Sequence, residues 1–391
     1  MCRKAQSYMR KESVVNKSTT FVGLDVHKKT ISVAVAVADG EPWSWRKIPN
    51  EREAIAHMVQ ELGAAGTRYA YEAGPTGYGL YRQLRALGAA CVVAAPSQIE
   101  RAAGERVKTD RRDALKLARL LRRGDLHAVW VPDEAQEAFR DLTRARQTAK
   151  QDQQRVRNRL TKLVLRLDIA EPVGVARWST RYRTWLHGLE LAQPAQQTVL
   201  DELQRALNEA DERLERLVQQ LKIACRCHPQ AQLIAALQTL RGVALITAAT
   251  IVAELGDPSR FRTPRQLMGY VGYGVTESSS GERVHRGHTT RAGNKRFRHA
   301  LGEGAWQHAR PLKVGKVLTQ QRRGQPPAVV ALAERADQRL HRRYWRLVQR
   351  GKLPQTAIVA VTRELVGFVW AIACEVSGQP LPTSKPLPAA A

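Results

Sequence analysis

The strongest constraint on how this chain can fold is a change of hydrophobic period near Pro132. Before it, from Thr20 to about His127, short β-branched runs alternate with helical stretches, the pattern of an α/β domain. Residues 21–25 and 31–37 read as strands joined by the turn His27-Lys28-Lys29. Asp39-Gly40 is a hairpin signal leading to a third strand over 43–48. A helix over 51–62, a strand over 68–72, a helix over 78–87, a strand over 91–95 and a helix over 110–122 complete a domain spanning 20–128. Three consecutive antiparallel strands followed by this alternation is the ribonuclease-H-like order.

Past Pro132 the strand signals stop. Ala138, Leu142, Ala145, Ala149, Val156, Leu160, Leu163 and Leu167 keep a mostly three-four spacing, and Leu200, Leu203, Leu207, Ala210, Leu214, Leu217 and Leu221 keep it strictly. Such heptads predict two long helices over 132–228 that pair as a coiled coil. They pair either as an antiparallel hairpin with 178–195 at its tip or with helices of another protomer. A mainly helical third domain, 230–376, follows. Its Leu240-Arg241-Gly242-Val243 and Leu255-Gly256-Asp257 give a helix-hairpin-helix pattern able to offer backbone amides to a phosphate. A polar stretch over 277–293 precedes helices over 294–310, 327–349 and 355–376, and the proline-rich tail 377–391 reads as disordered.

The partner is indicated by charge. Sixty-three Lys and Arg against 36 Asp and Glu give a net charge of +27, which calls for a polyanion, nucleic acid ahead of a membrane surface. No uninterrupted apolar run reaches the length of a membrane span, and the basic residues 1–17 lead into a strand rather than an apolar signal region. A cytoplasmic, nucleoid-associated protein is expected. The five cysteines Cys2, Cys91, Cys225, Cys227 and Cys374 are odd in number and scattered, unlike a disulfide framework. Cys225-Arg226-Cys227-His228 lacks the second ligand pair of a structural zinc site.

Four acids carry the chemistry. Asp25 ends the first strand, Glu72 ends a later one, and Asp110 and Asp113 share one face at the start of a helix. Clustered carboxylates repel one another unless a cation neutralises them. Two Mg²⁺ ions on such oxygens suit a phosphoryl displacement. The plainer reading makes Asp110 an N-cap and Asp113 a partner of the helix dipole. Lys108, Arg111, Arg112 and Lys116 surround the acids with the positive charge that DNA phosphates need.

Gly23-Leu24-Asp25-Val26-His27-Lys28, Tyr71-Glu72-Ala73-Gly74-Pro75-Thr76-Gly77 and Lys108-Thr109-Asp110-Arg111-Arg112-Asp113-Ala114 closely resemble the three motifs of the DEDD transposases of bacterial insertion sequences. That group has a RuvC-like N-terminal domain and includes bridge-RNA-guided recombinases. The resemblance spans roughly residues 20–310. Ser278-Ser279-Ser280-Gly281-Glu282-Arg283 and Arg291-Ala292-Gly293-Asn294-Lys295-Arg296-Phe297-Arg298 look like the signature of its C-terminal transposase domain. In that signature the serine before glycine is the proposed nucleophile on DNA. Ser280 matches best and Ser279 is the alternative. Arg291 stands where the family more often has Lys, and Ser278 where an aromatic residue is common.

The resemblance implies a Mg²⁺-dependent enzyme that cuts and rejoins double-stranded donor and target DNA. It also implies guidance by a bridge RNA and assembly into dimers and tetramers, with no role at a membrane. A serine hydroxyl alone is a weak nucleophile and needs a base or metal, with cations at the phosphate. Arg283, Arg286, Arg291, Lys295, Arg296 and Arg298 form the densest basic stretch beside it. Arg342, Arg343, Tyr344, Trp345 and Arg346 can stack on unpaired bases or clamp RNA, although Trp345 suits a core equally. His285, His288 and His299 stay outside the site. The rival readings are a metal-dependent, structure-specific nuclease and a nucleic-acid-binding protein without catalysis.

Overall fold

A computed structural model describes residues 20–99, 109–280 and 283–378. Lys108, Gly281, Glu282, Cys2 and the tail beyond 378 lie outside the described residues. The chain divides into two compact units, Met1–Pro132 and Asp133–Ala391.

The first unit is built on a five-stranded sheet. In chain order it contains β1 (Thr20–Val26), β2 (Thr30–Val37), β3 (Trp43–Pro49), α1 (Arg52–Leu62), β4 (Thr67–Glu72), α2 (Gly79–Ala86), β5 (Ala90–Ala94) and α3 (Asp110–Arg123). The sheet order is β3-β2-β1-β4-β5, with β1 antiparallel to β2 and parallel to β4. Alternation along β1 sends Val22 and Leu24 to one face, where they join Ile55, Met58, Tyr69, Tyr71 and Leu84 in a core under α1 and α2. Gly23 faces the other way. The small residues Ala34, Ala36, Ala114 and Ala118 form the contact between that face and α3, so helix and sheet approach closely.

The second unit contains α4 (Glu134–Arg166), α5 (Thr180–His187), α6 (Pro194–Cys227), α7 (Ala231–Leu237), α8 (Leu245–Leu255), α9 (Pro264–Val271), β6 (Val275–Ser280), β7 (Arg283–Thr289), α10 (Lys295–Ala305), α11 (Lys316–Arg322), α12 (Pro327–Gln349) and α13 (Pro354–Val376). Helices α4 and α6 run antiparallel within the chain. Asp152 meets Arg213 at 3.4 Å, and nearer the helical tip Leu160 and Leu163 share a core with Leu200. Phe139, nearer the other end of α4, joins Leu221 and Cys225 in the main core of the unit.

Helix α13 is long and apolar enough to cross a membrane by composition, yet Val361, Leu365, Val366, Val369 and Ala373 are buried in that same core. No disulfide joins the described cysteines Cys91, Cys225, Cys227 and Cys374.

Residues 277–293, a polar stretch in the sequence, carry strands as well. They form most of a β-hairpin, with Ser280 paired to Arg283 and Ser278 to His285. Its β-branched residues Val275, Thr276, Val284 and Thr289 favour extended backbone, while serines and glycines masked that propensity in the sequence. The helix-hairpin-helix glycine is committed to packing: a Cβ on Gly242, at φ +81°, would stand 2.1 Å from the Gly304 carbonyl oxygen.

Candidate active site

Strand β1 delivers Asp25 to the α3 side of the sheet, two residues beyond Gly23 and so on the same face. Helix α3 begins beside it. Its N-cap is Thr109, whose hydroxyl accepts from the Arg112 amide at 3.4 Å, so Asp110 is the first helical residue and not the cap. Its carboxylate is thereby left available to the site.

His27, on the turn after β1, joins the two acids. Its Nε2 lies 3.2 Å from Asp25 Oδ2 and 3.3 Å from Asp110 Oδ1. Lys47, from β3, donates to Asp110 Oδ2 at 3.1 Å. One ligand atom from each of Asp25, His27 and Asp110 falls within 4.8 Å of the others. Burial pushes the Asp25 carboxyl above its usual range; the Asp113 and Asp110 charges add to this and His27 opposes it. The hydrogen bond from Lys47 holds Asp110 below that range.

Asp113 is thus close enough to act on Asp25 electrostatically, but lies outside the tight group. Glu72 sits one position beyond the paired Leu24 and Tyr71, beside Asp25 in the sheet, and is exposed. It too stays outside the group of three. The donor set fits a divalent cation: carboxylate oxygens suit Mg²⁺, and the imidazole also suits softer ions. Sequence reasoning missed both His27 and Lys47. His27 had a signal in its place two residues from Asp25, whereas Lys47 had none, because a hairpin brings it there.

The serine lies in the second unit. Ser280 is exposed at the end of β6. The base of its hairpin is fixed by Thr290 donating to the Gly274 carbonyl at 2.8 Å and Asn294 to the Tyr270 carbonyl at 2.8 Å. Gly293, at φ +150°, packs so closely on Tyr270 that a Cβ would meet its carbonyl oxygen at 2.4 Å. The Asn294 side chain caps α10 and donates to Glu254 Oε2 at 2.8 Å. Glu254 is 1% exposed and takes two bonds from Arg144, at 2.9 and 3.0 Å. Burial pushes its carboxyl up, but the bonds from Arg144 and Asn294 and the charges of Arg144 and Arg140 outweigh it and leave it below the ordinary range.

This sorts the six basic residues near the serine. Arg296 bonds Gln147 at 2.9 Å and Arg298 bonds the Val271 carbonyl at 2.8 Å, so both brace the fold. Arg283, Arg291 and Lys295 are exposed. Arg286 is placed by its backbone in β7.

Residues 22–168 match a family model described as a transposase, and residues 234–315 match one described as Transposase IS116/IS110/IS902 family. A Sinorhizobium fredii protein named as a transposase is 41% identical over 93% of this chain and 90% of its own length. The transposase for insertion sequence element IS1533 of Leptospira borgpetersenii is 31% identical over 86% of this chain and 99% of its own. The chain belongs to the IS116/IS110/IS902 transposase family. A transposase cuts and rejoins DNA, so this one binds DNA, consistent with its net charge of +27. The first match covers the sheet from residue 22 onward and α3, including all four acids, and the second covers the serine hairpin. Family membership also implies use of a divalent metal.

Proposed function

We propose that this transposase uses Asp25, Glu72, Asp110 and Asp113 to hold Mg²⁺ and Ser280 as the nucleophile that becomes joined to DNA. The observation that carries the reading is the convergence of Asp25, His27 and Asp110 within 4.8 Å at the end of the central strand. The sheet order β3-β2-β1-β4-β5 supports a RuvC-like domain over 20–128. The antiparallel α4–α6 pair supports a coiled-coil segment over 132–228, followed by the serine-containing domain over 230–376. Bound Mg²⁺ would stabilise negative charge on the oxygens exchanged at phosphorus.

The protein's own groups would do the rest. Asp25 and Asp110 would hold the cation, with His27 beside both, and Lys47 offsets the charge of Asp110. Ser280 gives up its proton and forms a phosphodiester as the displaced DNA hydroxyl departs protonated, and reversal with a second DNA end rejoins the strand. Arg283, Arg286, Arg291 and Lys295 hold phosphates near the hairpin. Donor and target duplexes are selected by pairing with a bridge RNA, and the exposed apolar positions Leu165, Val199 and Ile223 on α4 and α6 suit dimer and tetramer contacts.

The test pairs two variants on a labelled duplex carrying the element's ends. Asp25→Asn should abolish cleavage with binding intact. Ser280→Ala should abolish the denaturation-resistant protein–DNA adduct. Cleavage that survives in Ser280→Ala without an adduct would establish a hydrolytic, metal-dependent nuclease instead.

A further inference from the structure

Helix α12 carries arginine at 335, 339, 342, 343 and 346, a spacing that places all five on one stripe facing α13. Like charges three and four residues apart on a helix destabilise it. One carboxylate answers them: Glu364 of α13 lies 2.8 Å from Arg339 Nε and 3.3 Å from Arg343 Nε. Among the described residues, Arg335, Arg342 and Arg346 have no acidic partner and are exposed. The stripe lines a cavity of about 360 Å³, with Phe368 on the opposite side. That cavity shares Arg335, Arg339, Glu364 and Phe368 with a neighbouring one of about 260 Å³, otherwise lined mainly by apolar groups including Met268, Leu332 and Ala371.

We infer that the α12–α13 groove binds an unpaired nucleic-acid strand, its phosphates on Arg335, Arg342 and Arg346 and a base against Phe368 and the apolar recess. The pairing of a cationic stripe with an apolar floor decides the ligand. A duplex offers phosphates but keeps its bases stacked inside, whereas a single strand offers both, and guanidinium planes and aromatic rings take bases of any sequence. From Arg335 to Arg346 the helix advances roughly 16 Å, at ~1.5 Å per residue, which suits a few nucleotides. Tyr344, which the sequence offered as a stacking residue, is buried at 6% exposure. Trp345 is 42% exposed but lines neither cavity. The inference goes beyond the proposed catalysis and needs neither the acids nor Ser280.

The test measures binding of the full chain to a labelled 15-mer of oligo(U), to oligo(dT) and to a mixed-sequence duplex of the same length, over a salt series. The triple variant Arg335→Gln/Arg342→Gln/Arg346→Gln should lose at least tenfold in single-strand affinity. Its log–log salt slope should fall by about 2, at ~0.7 for each phosphate that the three guanidiniums no longer neutralise. Duplex affinity should change less than twofold. Loss with both single strands supports backbone recognition, and loss with RNA alone supports the same groove reading the 2′-hydroxyl. The charge-matched control Arg205→Gln/Arg213→Gln/Arg216→Gln on α6 should leave single-strand binding within twofold. Equal losses in the two triple variants, an equal loss for duplex, or unchanged binding would each overturn the inference. Ser280→Ala and Asp25→Asn should bind the oligonucleotides like the wild type, so failure of the catalytic reading and failure of this one are separable.

Discussion

Gly23 lies directly beneath Ala114: a Cβ on Gly23 would stand 2.2 Å from the Ala114 carbonyl oxygen and 2.4 Å from the Ala118 amide. No rotamer relieves such a contact, because Cβ and helix backbone are both fixed. Gly23→Ala must therefore push α3 away from β1, and Asp110 moves with it. The expected cost is about 3 kcal/mol, the upper end for an overpacked core. The Asp25–Asp110 approach should be lost even where the domain stays folded. Thermal unfolding together with DNA cleavage checks this, and wild-type values for both would show that α3 does not rest on Gly23.

Lys47 places positive charge, and His27 an imidazole, where a divalent cation is expected. Lys47 competes directly for Asp110, so Lys47→Ala should tighten Mn²⁺ or Mg²⁺ binding. His27→Ala removes a ligand or an orienting partner and should weaken that binding by about 10- to 100-fold, the usual effect of losing a group beside a metal ligand. Titration calorimetry with each cation distinguishes them. Shifts in the same direction for both variants would mean that His27 and Lys47 are merely solvated neighbours of the acids.

Much of this was legible in the sequence, for identifiable reasons. The strands of the first unit alternate cleanly or are β-branched, so β1 to β5 and α3 stand within a residue or two of where pattern alone puts them. The α4 and α6 heptads likewise revealed two long helices, and the structure supplied the intrachain antiparallel pairing that spacing left open. The hairpin carrying Ser280 was hidden, since serines and glycines have weak strand propensity and its backbone pairs only with itself. Lys47 was hidden because its distance from Asp110 in sequence is closed by tertiary structure. Glu254 was hidden as one acid in an apolar helix, where only the convergence of Arg144, Asn294 and Arg140 gives it a role.

Gly242 and Gly304 press two backbones together near the turn between α7 and α8. Gly242→Ala faces both the left-handed φ of +81° and a contact at 2.1 Å with the Gly304 carbonyl oxygen. Gly304→Ala faces the Gly242 carbonyl oxygen at 2.7 Å without a φ penalty. Both variants should destabilise the second unit, Gly242→Ala by more, with about 1 kcal/mol of the difference arising from backbone strain. Urea unfolding ranks them; equal costs or the reverse order would mean that neither the closer contact nor the φ at Gly242 sets the difference.

Glu254 makes the second unit acid-sensitive. Its carboxyl is held below the ordinary carboxylate range in the folded protein, so in falling pH the unfolded chain takes up a proton before the folded one does. Stability is therefore fully present above the unfolded value of about 4.3 and is lost as the pH falls from there through the folded value. His308 adds a separate loss that begins higher. Burial, with help from Arg241 and His341, holds its imidazole down to about 3, so the unfolded chain out-competes the folded one for protons from near pH 6.5. A single variant separates the two. Glu254→Gln keeps the shape but removes the carboxylate charge that Arg144 and Arg140 face, at a cost of roughly 3 kcal/mol near neutral pH, the low end for a broken buried pair because Arg144 is 40% exposed. Between pH 5 and pH 3 the variant should lose less further stability than the wild type, while between pH 6.5 and pH 5 the two should fall in parallel. Denaturant titrations at these pH values give both slopes, and parallel behaviour throughout would remove Glu254 as the acid-sensitive anchor of the Ser280 hairpin.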